Sequence, residues 1–310
     1  MRASVAITLT IAAAVSVVVP LTVVAQDYEQ HWRRCTGKEG VGPDERLRSC
    51  TIVIESGREN PVGTATAFHN RGIAYEQKRQ WPQAIDQFSE AIRRNPPNVL
   101  ALLGRGYAYE RSGDIDRGMQ DYEAALRAQP NNAFALVRRG GAYAARQDHA
   151  RAIQDYDRAL RIDPSMVLAW TNRAASRFNT GDFAGAFRDY TEAKRLAPAN
   201  PSALSGICIA GAILGHLEQA MDACERTLTL SPRNPQAIYS RAIVHLKAGR
   251  LDEAIAGFSD ALSIEQYAPM FYGRGVAKAR KGDVEGSRAD FASARFMQPD
   301  IDREMMHYGF

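Results

Sequence analysis

Small and apolar side chains recur at fixed positions every 34 residues between Ala65 and Ile301. When Ala65 is counted as position 1, position 4 is large and apolar in all seven copies, whereas positions 8, 20 and 27 are nearly always small. Position 24 is aromatic in six copies and is Cys224 in the fifth. A period of this length predicts one supersecondary unit that is stacked repeatedly, and not a domain with one central core.

Each copy has the pattern of two helices joined by a turn. Positions 4 and 8 form an i, i+4 apolar stripe on a first helix, and positions 20, 24 and 27 form the matching face of a second helix. Turn sequences such as Ser112-Gly113-Asp114 lie between the two helices, and glycine there permits a positive φ. Proline at position 32 ends the second helix in six copies. The pattern therefore predicts an all-α fold of antiparallel helix pairs.

These positions resemble the tetratricopeptide repeat, which has a large apolar residue at 4, small residues at 8, 20 and 27, an aromatic residue at 24 and proline at 32. The resemblance implies an α-solenoid, a right-handed superhelix of such helix pairs. Runs such as NRGIAYEQ and AIQDYDRAL most resemble repeats of secreted proteobacterial proteins. The predicted repeats span 65–98, 99–132, 133–166, 167–200, 201–234, 235–267, which is one residue short, and 268–301.

The two ends of the chain do not follow the repeat. Residues 1–25 have the layout of a secretory signal, with Arg2, an apolar run and small side chains before a cleavage site after Ala25. This layout predicts a periplasmic or secreted protein whose mature chain has no membrane span. The alternative is an uncleaved anchor, because residues 3–25 are long enough to cross a bilayer. Residues 302–310 are predicted to be a C-terminal cap.

The four cysteines are predicted to form two disulfides, because export implies an oxidising compartment. Cys208 and Cys224 occupy positions 8 and 24 of the fifth repeat, which face each other across the helix pair. Cys35 and Cys50 have nearly the same separation, so residues 26–64 are predicted to hold a degenerate, disulfide-stapled helical hairpin. One alternative is four free buried thiols. Another is a zinc site at Cys35 and Cys50, but His31 is the one further ligand nearby and structural zinc needs four.

Position 7 is arginine in six repeats, and position 23 is aspartate in four of these. The fifth repeat lacks both residues and has Ile207 and Ala223 instead. This pattern predicts structural ion pairs, because a guanidinium can donate two hydrogen bonds to one carboxylate. The alternative is a row of arginines that captures an acidic ligand. The predicted pairs are Arg105–Asp121, Arg139–Asp155, Arg173–Asp189 and Arg274–Asp290.

The net charge is +4, and basic residues lie beside acidic ones in every repeat, so no basic stripe for nucleic acid is present. The family resemblance implies that positions near 2, 5, 9 and 12 of the first helices line a concave face. A contiguous exposed apolar patch marks a partner site, and an extended peptide or an amphipathic helix would fit one. The alternative is that positions 2 and 9 pack against the preceding repeat. The predicted groove residues are Leu100, Leu103, Tyr107, Phe134, Val137, Leu168 and Phe178, and the later repeats place Ile209, Gln236, Tyr239 and Ile243 in the same phases.

No catalytic constellation is present in the sequence. The six histidines are scattered, no metal or nucleophile motif occurs, and the repeats leave no room for a catalytic domain. We therefore expect no enzyme activity and no cofactor. The predicted function is a periplasmic scaffold or adaptor that binds another protein on its concave face. The alternative is a structural role, in which the protein self-associates into homo-oligomers or is a spacer tethered by an uncleaved N-terminal anchor.

Overall fold

The computed structural model describes residues 21–308, which form seventeen helices and no strand. Residues 1–20 of the predicted leader and residues 309–310 of the predicted cap lie outside that range. The prediction of an all-α fold is therefore confirmed. The chain divides into two compact units, residues 1–112 and 113–310, and the division falls inside the predicted repeat 99–132.

The first unit contains five helices, and each packs on the next one along the chain. The first of them begins at Leu21, so the predicted cleavage site after Ala25 lies within a helix. The helices are α1 (Leu21–Cys35), α2 (Pro43–Ser56), α3 (Pro61–Gln77), α4 (Trp81–Arg94) and α5 (Val99–Arg111).

The second unit contains the remaining helices in the described part of the chain. They are α6 (Ile115–Ala128), α7 (Ala133–Ala145), α8 (His149–Ile162), α9 (Val167–Asn179), α10 (Phe183–Leu196), α11 (Pro201–Leu214), α12 (Leu217–Leu230), α13 (Pro235–Lys247), α14 (Leu251–Ile264), α15 (Ala268–Lys281), α16 (Val284–Met297) and α17 (Ile301–His307). Sequential helices pack as pairs, and the first helices of successive pairs, α7, α9, α11, α13 and α15, also contact one another in order. These first helices thus form one layer of the second unit.

Short polar side chains fix where the helices begin. Asn132 Oδ1 accepts a hydrogen bond from the Ala135 amide at 2.9 Å, and Asp148 Oδ1 accepts one from the Arg151 amide at 3.1 Å. Each satisfies a backbone donor that has no partner inside the helix. The same caps recur at the ends and turns of other repeats, at Asn60, Asn98, Asn200, Asn234, Asp114, Asp182 and Asp283.

The aromatic ring at position 24 is held against glycines that leave room for it. A Cβ atom added at Gly72 or at Gly104 would lie 2.7 or 2.6 Å from the ring of Phe88 in the first unit. In the second unit, a Cβ at Gly140 would lie 2.7 Å from the Tyr156 ring, and one at Gly273 would lie 2.6 Å from the Phe258 ring. No real side chain tolerates such distances, so glycine at positions 6 and 8 lets the helices close on the buried ring.

Two cysteine pairs stand at disulfide distance, which fits the predicted bonds. Cys208 and Cys224 have Cα atoms 4.9 Å apart and join α11 to α12. Cys35 and Cys50 have Cα atoms 4.7 Å apart and join α1 to α2. All four side chains are buried, and the Cys35–Cys50 pair packs with Val53 and Ala67.

Buried carboxylates in the second unit are matched by arginines sixteen residues earlier. Arg139 donates two hydrogen bonds to Asp155, at 2.7 and 2.8 Å. Arg173 contacts Asp189 in the same way, with both distances 2.8 Å. Each carboxylate is almost inaccessible to water, and each guanidinium is engaged, so little charge is left for an acidic ligand.

The last repeat contains the same pair with an additional cation. Arg274 donates to Asp290 at 2.9 and 2.7 Å, and Lys278 Nζ lies 2.9 Å from the same carboxylate. Burial by itself would raise the pKa of Asp290, but the hydrogen bonds from Arg274 and Lys278 outweigh it and hold the pKa below the usual value.

The predicted pair Arg105–Asp121 has one member in each unit and stays a prediction. Within the first unit, Arg105 donates to the Ser89 hydroxyl at 3.0 Å. Arg71, whose repeat has glutamine at position 23, donates instead to Gln87 Oε1 at 2.7 Å. A neutral amide thus takes the acceptor position in the first repeat, and burial lowers the pKa of the Arg71 guanidinium.

Adjacent glycines in α7 allow a matched test of the packing between position 8 and the ring. We expect Gly140→Ala to destabilise the protein by about 1–3 kcal/mol, because its Cβ would overlap the Tyr156 ring. Gly141→Ala should instead stabilise by up to about 1 kcal/mol, since its Cβ would lie 3.9 Å from Tyr156 Oη and alanine favours the helix. Urea unfolding followed by circular dichroism measures both. Equal shifts of the same sign would contradict the proposed role of Gly140.

The Arg139–Asp155 pair can be tested against the residues that the fifth repeat uses. We expect Arg139→Leu to cost about 3–5 kcal/mol, because it leaves the buried Asp155 carboxylate without its partner. Adding Asp155→Ala should restore most of that stability, because the double variant then has apolar residues at positions 7 and 23, as the fifth repeat has with Ile207 and Ala223. Arg151→Ala, which removes an exposed pair with Asp148, is the control and should change the urea midpoint little. A double variant as unstable as Arg139→Leu would refute this interpretation.

The disulfides give a third prediction. Protein isolated without reductant should show no reactive thiol in denaturant, and reduction should lower stability by about 3 kcal/mol for each bridge in the chain-entropy model. The comparison variant Cys35→Ser/Cys50→Ser leaves only the bridge between Cys208 and Cys224, so reductant should then produce about half the effect. Two or more free thiols in the unreduced wild type would exclude the two-bridge arrangement.

A candidate binding pocket in the second unit

The predicted groove residues of the first unit have different environments. Leu100 is exposed, with 65% of its surface accessible, whereas Leu103 is buried at 6%. Tyr107 is half-buried, and its ring centroid lies 6.1 Å from that of Trp81. Only Leu100 among these three therefore offers an open apolar surface.

The second unit shows the same division by position. Phe134 and Leu168, at position 2, are exposed, whereas Val137, at position 5, is only 1% exposed. Thr171 and Tyr239, also at position 5, are buried as well. The burial of Leu103 and Val137 departs from the predicted groove, and the alternative had assigned packing to positions 2 and 9 instead. The physical reason is that successive first helices contact one another, which removes the side chains between them from water.

Phe178 is the predicted groove residue that borders a cavity. This cavity has a volume of about 340 Å³ and lies against the layer of first helices in the second unit. Its apolar lining includes Phe178, Ile209, Ile213, Tyr239, Ile243 and Met270. Gln236, Gln298 and Glu304 supply the polar part of the wall. A mainly apolar concavity of this size with a few polar groups is typical of binding sites.

The periodic pattern alone would have found part of this lining. Ile209 and Ile243 lie at position 9, and Tyr239 lies at position 5, in the phases that the sequence assigns to the concave face. Glu304 and Tyr308 follow the last repeat and have no repeat phase. Their presence at the cavity depends on how the chain turns after α16, and no sequence signal indicates it.

Helix α17 brings the end of the described chain to this cavity. Ile301 and Met305 are fully buried in a cluster with Ala268 and Ala294, so they fix the helix on the last repeat. Arg295 adds an ion pair with Asp302, at 2.8 and 2.9 Å. Because α17 is held in this way, Tyr308 is carried towards the earlier helices.

Tyr308 lies among residues from distant parts of the second unit. Its ring centroid is 5.6 Å from that of Phe183, and its carbonyl oxygen is 3.4 Å from Lys247 Nζ. Lys247 also donates to the Ile213 carbonyl at 2.7 Å. Tyr308 therefore lines the cavity, and its carbonyl contacts a lysine that also donates to the carbonyl of Ile213, another lining residue.

The tyrosine hydroxyls that line the cavity stay protonated because their pKa values are raised. Burial raises the pKa of Tyr308 to about 12, with Glu304 adding to the effect, and burial also raises the pKa of Tyr239. Burial lowers the pKa of Lys247, and the nearby Arg280 acts in the same direction. At neutral pH the tyrosine hydroxyls are thus neutral, and the site presents apolar surface with hydrogen-bonding groups at its edge.

The described part of the chain shows neither a metal site nor a membrane-spanning helix. Between residues 21 and 308, no three His, Cys, Asp or Glu side chains are grouped so as to hold a metal ion. No helix within that range combines the length and the apolar character needed to cross a membrane.

Solved structures share this fold at low sequence identity. A tetratricopeptide repeat protein from Parabacteroides merdae is 19% identical with a TM-score of 0.55, and the match covers 79% of this chain and 99% of that one. PilW, a type IV pilus biogenesis factor, is 20% identical with a TM-score of 0.55, covering 66% of this chain and 96% of its own. A chain of the APC/C hetero-tetramer Cut9–Hcn1 is 13% identical with a TM-score of 0.60, and the match covers 90% of this chain and 53% of that one. Such likeness shows the fold alone.

No curated protein matches the sequence. The family profile described as tetratricopeptide repeat matches residues 69–133, 111–167, 137–201 and 214–269, which together exceed half of the chain. With the helix pairs of this repeat also present in the structure, the chain belongs to the tetratricopeptide repeat family.

Proposed function

We propose that this protein is a non-enzymatic scaffold that binds a segment of another protein. The observation that carries the proposal is the apolar cavity of about 340 Å³ on the layer of first helices in the second unit. Repeat proteins of this kind use extended surfaces to hold partners. A partner would contribute apolar side chains, because Ile209, Ile243 and Met270 offer no charge to recognise.

The partner segment is an extended peptide or an amphipathic helix, as these present apolar side chains at short intervals. Within the second unit, the exposed Phe134 and Leu168 provide further apolar surface on α7 and α9. Leu100 provides such surface on α5 of the first unit. Single exposed apolar residues are common on proteins, so the cavity by itself carries the proposal.

The compartment proposed for this function is the periplasm or the exterior of the cell. Two cysteine pairs at disulfide distance support an oxidising environment. The charge and apolar run of residues 1–25 support export with cleavage after Ala25. Sequencing the N-terminus of the exported protein tests cleavage, and a sequence that starts at Met1 would favour the tethered spacer.

Site-specific photo-cross-linking in the native cell tests the binding function. Gln236 is exposed and borders the cavity, so a photoreactive residue there should capture one defined protein. The positional control carries the photoreactive residue in place of Arg288, which is exposed on α16. This control should not capture the protein that is cross-linked from Gln236. A photoreactive residue at Leu168 shows whether the partner also reaches the first turn of α9, at the other end of that helix from Phe178.

The cross-link must depend on the apolar lining. We expect Ile209→Gln, combined with the photoreactive residue at Gln236, to reduce the adduct about tenfold, since a loss of about 1.4 kcal/mol in binding has that effect. Circular dichroism should confirm that the variant remains folded. Identical adducts from Gln236 and Arg288 would show non-specific capture and end the proposal. An adduct of two copies of this chain would support self-association instead.

A further inference from the structure

The described end of the chain already occupies one edge of the cavity. Tyr308 follows α17 directly, and its ring lies near Phe183 of α10, although more than a hundred residues separate the two in sequence. Ile301 and Met305 bury the apolar side of α17 on the last repeat, and Tyr308 packs against the same cluster. Tyr308 thus contacts both the last repeat and, through Phe183, the distant helix α10.

The hydrogen bond made by Tyr308 is a main-chain interaction that another peptide could make. Lys247 Nζ donates to the Ile213 carbonyl at 2.7 Å and is 3.4 Å from the Tyr308 carbonyl oxygen. The second distance is beyond the usual range for such bonds, so it marks a weak interaction. An ammonium group has three donors, and a peptide carbonyl closer to Nζ would improve on the contact that Tyr308 makes.

The space beside Tyr308 indicates what else the site accepts. The cavity remains next to the tyrosine, with Phe178, Ile209 and Ile243 in its wall. The Tyr308 ring is tilted by 55° to the ring of Phe183 with centroids 5.6 Å apart, a separation typical of interacting aromatic pairs. Glu304, on α17 itself, places a carboxylate at the same edge, so the seated segment combines an aromatic ring with a nearby acid.

We propose that residues 301–308 occupy the position that a segment of the partner takes when it binds. The partner segment is then anchored by an aromatic side chain in the place of Tyr308 and by a main-chain carbonyl that accepts a hydrogen bond from Lys247. This inference rests on the proposed binding function and names the chemistry of the partner. A partner must displace Tyr308 from its position, and the tethered segment competes with it at a high effective concentration. The apparent affinity of the wild type is therefore lower than that of a chain whose site is open.

Fluorescence anisotropy with a labelled peptide tests the proposal on the full-length protein. The probe is a synthetic, C-terminally amidated peptide of residues 299–308, which carries the same aromatic and acidic groups as the seated segment. We expect the Tyr308→Ser protein to bind this peptide at least tenfold more tightly than the wild type does. Tyr308→Phe keeps the ring and should behave like the wild type. Met306→Ser, at an exposed site on the same helix, should also leave the affinity unchanged.

Two further measurements separate an anchored ring from a general loosening of α17. A probe peptide in which the residue matching Tyr308 is serine should lose most of its binding to the Tyr308→Ser protein. Lys247→Met in the Tyr308→Ser background should weaken binding of the original probe about tenfold. Equal affinity of wild type and Tyr308→Ser, or equal binding of the two probes, would overturn the inference. If the cross-link from Gln236 persists in that case, the scaffold function stands and only the aromatic anchor fails.

Discussion

The close fit between a buried aromatic ring and backbone without a side chain is the constraint on which the helix pairs depend. Phe88 illustrates it, because Gly72 lies against the ring from its own repeat and Gly104 from the next. The ring fills the space between helices, and glycine allows the backbones to approach it closely. In this repeat one residue therefore contributes both to the pairing of its two helices and to the stacking of the following helix. The glycines lose helix propensity, and the packing that they permit offsets this loss.

The fifth repeat departs from this arrangement and shows what can replace it. Position 24 is Cys224 and position 8 is Cys208, so a covalent bond takes the place of the ring against a small residue. The same repeat has Ile207 and Ala223 in place of the arginine and aspartate that pair elsewhere. Both side chains are buried. An apolar contact thus substitutes for a desolvated ion pair, which agrees with the modest net stability of such pairs once their desolvation is counted.

The cavity of the second unit connects this packing to function. Its walls include Tyr239 at position 5 and Ile209 and Ile243 at position 9 of the first helices, and its edge comes from Tyr308 after the last repeat. The stack therefore supplies a stable lining, whereas a short terminal segment decides how much of it is open. Such a division is physically reasonable, because α17 is held by a few side chains and a repeat pair is held along two whole helices.

The sequence by itself determined the helix pairs, the turns, the ring at position 24 and the arginine–aspartate pairs of the later repeats. All of these depend on contacts within one repeat or between neighbours, so a fixed period exposes them. It also placed the two cysteine pairs, because equivalent positions face each other across a helix pair. Only the tertiary structure decided that Leu103 and Val137 are buried while Leu100 and Leu168 are exposed, since repeat phase does not say how closely successive first helices approach. It also decided the position of Tyr308, which is set by the burial of Ile301 and Met305 on the last repeat and by no local propensity.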